Sequence, residues 1–320
     1  MAHSVLGIHH VTAIAGDPQR NLDFYAGVLG LRLVKRTVNQ DDPFTYHLYY
    51  GDGLGRPGSI LTFFPWNDLP RGRAGAGQAT AVAFAIGAES LGFWIERLLR
   101  HGIAYRRPTR RFGENVLAFS DPDGLGLELV AAARPGPYEP WEDSGVPPEH
   151  AIRGLHGVTL LEQDPAVARA LLTATLGFRE VDRHDGRIRL EAGAGGPSTF
   201  VDVQAAPDFW SGRLGVGTVH HVAWRLPDDA AQREMRDRVV DAGRAPTDVI
   251  DRFYFRSVYF REPGGVLFEL ATDPPGFTVD EPPESLGTRL VLPPWLEPER
   301  ATIERHLPPL RLPAPARAGA

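Results

Sequence analysis

The chain has 320 residues, 42% hydrophobic and 23% charged, with a formal net charge of -6, an ordinary globular composition. It contains no cysteine, which excludes thiol catalysis, thiolate metal sites and disulfides. No block of lysine and arginine marks a nucleic-acid face, no apolar run of about 18 residues marks a membrane span, and Met1-Ala2-His3-Ser4 does not begin a signal peptide, so the cytoplasm is the expected compartment.

The 35 glycines and 29 prolines predict many turns and a strand-rich body. A first strand is expected at His9 to Ile14. A helix then opens at Asp17-Pro18 and closes at Leu29-Gly30-Leu31. Aspartate as cap, proline at the first helical position and glycine past the end are its start and stop signals. Strand-like runs follow at Leu31 to Val38, Tyr46 to Tyr50 and Ser59 to Phe64. A second run starts at Ala79, passes through a helix over Leu91 to Arg100 and Gly102, and ends in a strand at Leu125 to Val130. A Pro-rich bridge, Arg134 to Pro148, follows. The third run has a strand at His156 to Leu161 and a helix from Asp164-Pro165 to Leu176-Gly177-Phe178. The fourth starts at Val219, has a helix over Gln232 to Asp241 and Gly243, and ends at Val266 to Leu270. A Pro-rich tail begins near Asp280, with one short helix around Glu297 to His306.

These runs repeat one plan of strand, helix and three strands, four times. The helices at Asp17 and Asp164 both span 13 positions to their glycine, and Asp121-Pro122-Asp123-Gly124 aligns with Glu262-Pro263-Gly264-Gly265. The fold class is α+β, built of four βαβββ modules. The expected divisions are an N-terminal pair of modules at 1–137, a linker at 138–152, a C-terminal pair at 153–279 and the tail at 280–320.

The candidate chemistry lies in two adjacent-histidine pairs, His9-His10 and His220-His221, and in Glu269 of Val266-Leu267-Phe268-Glu269-Leu270. Two histidines and one carboxylate on short apolar strands are the ligand set of a non-haem iron(II) site with open positions. Strand alternation puts His10 and Thr12 on one face and His9 and Val11 on the other. Alternation alone permits either histidine of a pair as ligand, because one residue of register inverts the choice. An unpaired carboxylate at Glu269 would be costly on such a strand. Glu128 lies on a similar strand without the histidines and is expected to pair with Arg110 or Arg111. His47 reads as structural, His156 as a packing residue or relic, and Phe63-Phe64-Pro65-Trp66 as a lid or core corner.

The phrases Leu6-Gly7-Ile8-His9-His10-Val11-Thr12, Arg36-Thr37-Val38-Asn39-Gln40-Asp41-Asp42-Pro43, Tyr46-His47-Leu48-Tyr49-Tyr50-Gly51-Asp52, Gly217-Thr218-Val219-His220-His221-Val222-Ala223-Trp224 and Asp251-Arg252-Phe253-Tyr254-Phe255-Arg256-Ser257-Val258-Tyr259-Phe260 resemble the vicinal oxygen chelate superfamily, also called the glyoxalase and extradiol dioxygenase superfamily. More narrowly, the chain resembles ring-cleaving dioxygenases of hydroquinone type, over nearly its whole length and including Leu292-Pro293-Pro294. The resemblance implies that modules pair into two cups, one around a metal held by the first and last strands. An offset of 147 (164 minus 17) puts Gly157 opposite His10; aligning the second and fourth copies puts Ala81 opposite His221 and Glu128 opposite Glu269. Copies one and four therefore offer a complete set, and the other pairings do not.

The resemblance further implies the second histidine of each pair as ligand, giving His10, His221 and Glu269 around Fe(II), with Mn(II) as the other candidate ion. It nominates Tyr259 and Arg252 for proton transfer and His9 and His220 around the ligands, the last two expected to point outward by alternation. Thr12 would hold a water or orient a ligand. The implied reaction inserts O2 into a hydroquinone- or catechol-like aromatic diol and opens the ring to an acid. The competing readings are a glyoxalase-like lyase or isomerase and a non-enzymatic quinone- or drug-binding module. The former class usually takes four protein ligands, and here Thr62, near the fourth position, is no carboxylate. Exposed sheet edges make a homodimer plausible.

Overall fold

The computed structural model describes residues 4–312; positions 1–3 and the last part of the expected tail, 313–320, lie outside the described residues. The repeated plan is observed four times. Module one is β1 (Ile8–Ala15), α1 (Pro18–Leu22), β2 (Arg32–Asn39), β3 (Asp42–Gly51) and β4 (Ile60–Pro65). Module two is β5 (Gln78–Gly87), α2 (Leu91–Arg100), β6 (Thr109–Arg111), β7 (Glu114–Ser120) and β8 (Gly126–Ala132). Module three is β9 (Leu155–Glu162), α3 (Pro165–Ala170), β10 (Arg179–His184), β11 (Arg187–Glu191) and β12 (Phe200–Ala205). Module four is β13 (Val219–Leu226), α4 (Asp229–Asp241), β14 (Ile250–Asp251), β15 (Arg256–Arg261) and β16 (Leu267–Thr272). The caps act as expected: Asp17 accepts from the Arg20 amide and Asp164 from the Ala166 amide. The first and third helices continue as π-helical turns over Asp23–Val28 and Leu171–Thr175. In the tail, the expected helix is a 3-10 turn at Glu297–Glu299 leading into α5 (Arg300–His306).

Within each module the first and last strands run parallel, joined through the helix and the two intervening strands. That leaves one edge of each first strand with unpaired backbone groups, a liability that pairing removes. β1 pairs antiparallel with β13, and β5 with β9. The result is two eight-stranded sheets, β14-β15-β16-β13-β1-β4-β3-β2 and β10-β11-β12-β9-β5-β8-β7-β6. Modules one and four share one cup, and modules two and three the other, as the ligand arithmetic requires. The helices bury their apolar faces on the sheets. α4 packs on β13, β15 and β16, and beneath it Trp224 is fully buried, edge-on to Phe178 and Phe268; truncating such an aromatic costs about 3–5 kcal/mol.

Two segments tie the modules together. Between β8 and β9 the chain forms no strand or helix, but Tyr138 donates its hydroxyl to the Pro57 carbonyl at 3.0 Å. Past β16, Lys35 of β2 is fully buried against Glu281 and Asp280, which fastens the tail onto module one.

A pair of carboxylates gives the fold a pH dependence. Glu162 and Glu262 are both buried. Glu262 accepts from the Gly264 and Val266 amides at 2.8 and 2.9 Å, while Glu162 Oε1 has no partner. Burial, and then the charge of Glu262, push the Glu162 carboxyl up to about 8. A folded pKa above the unfolded value of about 4.3 means stability present below that value and lost as pH rises through 8. Glu162→Gln is therefore expected to raise the melting temperature by a few degrees at pH 9 and to leave it nearly unchanged at pH 4. An equal effect at both pH values would show that Glu162 is not the titrating group.

Candidate metal centre

The seam between β1 and β13 creates the site. Between the pairs Ile8↔Trp224 and His10↔Ala223, β1 advances two residues while β13 advances one, so His9 is an inserted residue. Between Thr12↔His221 and Ala13↔Val219 the reverse holds, and His220 is inserted. These are β-bulges, one on each strand, and a bulge re-aims the side chains around it. The expected outward direction is thereby corrected for His220, whereas His9 stays out of the cavity. His9 Nδ1 lies 2.9 Å from His10 Nδ1, and His220 Nδ1 lies 2.8 Å from His221 Nδ1. His220 lines the cavity together with His10 and His221; His9 stays buried behind His10, with Phe255 packed at 5.0 Å against both rings.

Across the seam, His10 Nε2 and His221 Nε2 lie 3.3 Å apart. Oε2 of Glu269, carried in by β16, lies 3.3 Å from the first and 2.9 Å from the second. All three residues are buried, Glu269 completely. Among the described residues this is the one cluster of three such donors able to hold a metal ion. Oε2 has no other hydrogen-bond partner, so the three donor atoms face one another and nothing else. Donors about 2.1 Å from a metal at right angles stand about 3 Å apart, and the observed separations match. The donor set fits a divalent metal bound on one face.

The Nδ1 contacts agree with this. If Nε2 of His10 and His221 carries the lone pair, Nδ1–H donates to His9 and His220, fixing the tautomer of each donor ring. Burial, followed by His10, holds His9 well below its ordinary pKa. Burial and His221 bring His220 down to about 3, so both act as neutral partners. Burial would raise the Glu269 carboxyl, but His10 and His221 outweigh it and hold it well below the usual range. Its other oxygen accepts from Ser257.

Tyr259 sits on β15 directly beside Glu269, with its ring 5.6 Å from that of His221. Burial and then the Glu269 charge push its phenol well up, so it remains an O–H donor. Arg252, just past β14, lies over the Tyr259 ring at 5.5 Å. Its guanidinium reaches Asp41 of module one with two hydrogen bonds of 3.1 and 2.9 Å. That pair bridges the two modules beside a cavity of about 380 Å³ whose apolar walls include Phe64, Trp66, Phe255 and Leu267. The Phe63–Trp66 run thus divides: Phe63 enters the core, and Phe64 and Trp66 face the cavity.

Thr12 makes no hydrogen bond to the donor residues. Its hydroxyl meets Thr62 at 2.8 Å. Thr62 in turn meets His47 Nε2 at 2.8 Å, and His47 Nδ1 meets the Tyr49 hydroxyl at 2.8 Å. Both His47 and Tyr49 line the cavity. Burial, with His10 and His221 next, holds His47 well below its ordinary pKa. Register explains the chain of hydroxyls. Thr12↔Thr62↔Tyr49 in module one repeats Ala223↔Glu269↔Tyr259 in module four. Thr62 thus occupies the place of a fourth donor and offers only a hydroxyl. His47, expected to be structural and not a fifth ligand, is not among the three donors and is held between Thr62 and Tyr49; the alternation of Tyr46 to Tyr50 puts His47 and Tyr49 on one face.

The other cup repeats the same positions with different residues. Gly157, Ala81, Glu128 and Asp202 stand where His10, His221, Glu269 and Thr62 stand in the first. A Cβ at Gly157 would meet the Phe200 carbonyl at 2.6 Å, which leaves no room for an imidazole. Arg111 clamps both oxygens of Glu128, as one of the two expected arginines, and Arg189 holds both oxygens of Asp202 at 2.7 and 3.0 Å.

Comparison with known proteins agrees with this geometry. The family described as the Glyoxalase/Bleomycin resistance protein/Dioxygenase superfamily matches residues 7–129 and 154–270. The "Putative ring-cleaving dioxygenase MhqO" of Bacillus subtilis (strain 168) is 44% identical over 98% of this chain and 99% of its own length. The "Chlorohydroquinone/hydroquinone 1,2-dioxygenase" of Sphingobium indicum is 36% identical over 92% of this chain and 93% of its own. A crystal structure titled "putative dioxygenase from Bacillus subtilis" superposes with a TM-score of 0.91 at 43% identity, covering 98% of this chain and 99% of that one.

Proposed function

Because the chain belongs to the Glyoxalase/Bleomycin resistance protein/Dioxygenase superfamily, we propose that it is a ring-cleaving dioxygenase that inserts O2 into a hydroquinone- or catechol-like aromatic diol. His10, His221 and Glu269 would hold the metal, Fe(II) first and Mn(II) second, since two imidazoles and a carboxylate suit these ions. The observation that carries this reading is the donor set itself: three convergent donors, with Thr62 instead of a carboxylate at the fourth position. Held by these three residues, such an ion would supply Lewis acidity toward a phenol and toward O2.

The chain's own residues do the rest. Phe64, Trp66, Phe255 and Leu267 form a slot for a planar ring and exclude water from it. Tyr259, kept protonated by burial, is the proton donor beside the carboxylate. Arg252, tethered to Asp41, keeps a fixed positive charge near the phenol and favours anionic oxygen in the cavity. His220 presents a neutral imidazole to the same space. Relatives named for ring cleavage and for hydroquinone at 36–46% identity support the substrate class.

The test is an oxygen-electrode screen of hydroquinones, catechols and gentisate with enzyme purified anaerobically and loaded with ferrous iron. About one iron per chain and substrate-dependent oxygen uptake are expected. Bound metal with no oxygen uptake but isomerisation of a thiohemiacetal would move the reading to a glyoxalase-like enzyme. A chain that takes up no metal would be a binding module.

A further inference from the structure

The second cup, which lacks the donor histidines, has not closed. Its cavity is about 1040 Å³, larger than the one beside His10. Interiors pack densely, and a polar-tipped cavity with aromatic walls is the usual form of a ligand site. The walls here are Tyr105, Phe119, Phe209 and Trp210. The rings of Phe209 and Trp210 lie 4.3 Å apart, tilted by 33°, and both are more than a third exposed.

Two cations lining this cavity, the exposed Arg106 and the less exposed Arg187, have no carboxylate of their own among the described residues, and Arg187 is the one set in the strand floor. Arg187 pairs with Gln204 across β11–β12, two residues from Arg189 on the same face, the strand position that His47 holds in the first cup. Its guanidinium donates to Thr159 Oγ1 at 3.1 Å, and Thr159 lines the cavity beside it. The carboxylates of the floor are already engaged. Arg111 takes both oxygens of Glu128, Arg189 takes both of Asp202, and Glu114 is shared between Arg189 and His156. Among the described residues no carboxylate accepts a hydrogen bond from Arg187. Burial and then the Arg111 charge lower its pKa, and the charges of Glu128 and Asp202 offset this only in part. The other wall carboxylate, Asp121, is capped by the Tyr25 hydroxyl and by the Asp123 and Leu125 amides.

We propose that this second cup is a binding site for a small aromatic carboxylate, with the carboxylate on Arg187 and Thr159 and the ring against Tyr105, Phe119, Phe209 and Trp210. A guanidinium matches a carboxylate through two parallel hydrogen bonds, and the aromatic walls match a planar body. The proposal is independent of the metal and of ring cleavage.

Calorimetric titration of the metal-loaded protein with trans-cinnamate tests it, against cinnamamide and inorganic phosphate as controls. Saturable binding of cinnamate is expected. Arg187→Gln should weaken it at least about tenfold, and Arg187→Lys should weaken it less. Tyr259→Phe, in the other cup, should leave it unchanged. Thr159→Val gives a second variant should Arg187→Gln fail to fold, with melting temperature and metal content as controls. The proposal is overturned by the absence of saturable binding at millimolar cinnamate, by equal binding of the amide or of phosphate, or by unchanged affinity in both the Arg187→Gln and Thr159→Val proteins.

Discussion

His10→Ala is expected to lose both bound metal and oxygen uptake, whereas Glu128→Ala keeps both. His10 supplies one of three donors, and its Nε2 stands 3.3 Å from each of the other two. Removing an outer hydrogen-bond partner from a metal ligand typically costs about 10–100-fold in affinity or activity; removing the ligand itself should exceed that. Glu128 occupies the position of Glu269 in the other cup, but Arg111 takes both its oxygens. Its loss leaves a guanidinium only 11% exposed with just the 4.0 Å contact to Asp202, at a cost of up to about 3–5 kcal/mol. The melting temperature of Glu128→Ala should fall while turnover per folded molecule stands. Metal analysis, oxygen uptake and thermal melts read the two variants together. Loss of turnover in Glu128→Ala with retention in His10→Ala would mean that the cups have been assigned the wrong way round.

Tyr259→Phe is expected to lower kcat by about 10²–10⁴-fold, the usual contribution of a positioned acid or base, with metal content unchanged. The change deletes the hydroxyl and leaves the ring edge-on to His221 and under Arg252. The phenol is held well above its ordinary pKa, so it stays protonated through neutral and moderately alkaline pH. A fall in activity on the alkaline side below pH 10 should therefore persist in Tyr259→Phe with its midpoint unchanged. Lost metal instead of lost kcat would make Tyr259 a structural support for His221.

The pairing of modules is legible in the amino-acid sequence. A metal needs all its donors together, and Gly157 and Ala81 carry no side chain able to bind one. Only copies one and four could therefore assemble His10, His221 and Glu269, and the β1–β13 seam brings them within 3.3 Å. Helix ends were equally legible, because Asp17 and Asp164 cap through contacts two or three residues away. The arginine at Glu128 was narrowed to two neighbours in sequence, of which Arg111 is the one.

The direction of His9 and His220 was not legible. Alternation assumes uninterrupted register, and one inserted residue per strand turns these side chains toward their neighbours. A bulge is set by how two distant strands meet, so neither His9-His10 nor His220-His221 encodes it alone. The place of His47 on the cavity wall was not legible for a related reason. Its partners Thr62 and Tyr49 come from pairing across β3 and β4, and its place on the cavity wall depends on how those strands curl against module four. The four-fold repeat, the complementary loss of histidines in two copies and the ligand types are properties of the chain itself, since they follow from local spacing and from the chemistry of side chains. The bulged seam, the hydroxyl chain from Thr12 to Tyr49 and the unpaired Arg187 in the floor of the second cup were decided only by tertiary structure, because each depends on which strands lie side by side and in what register.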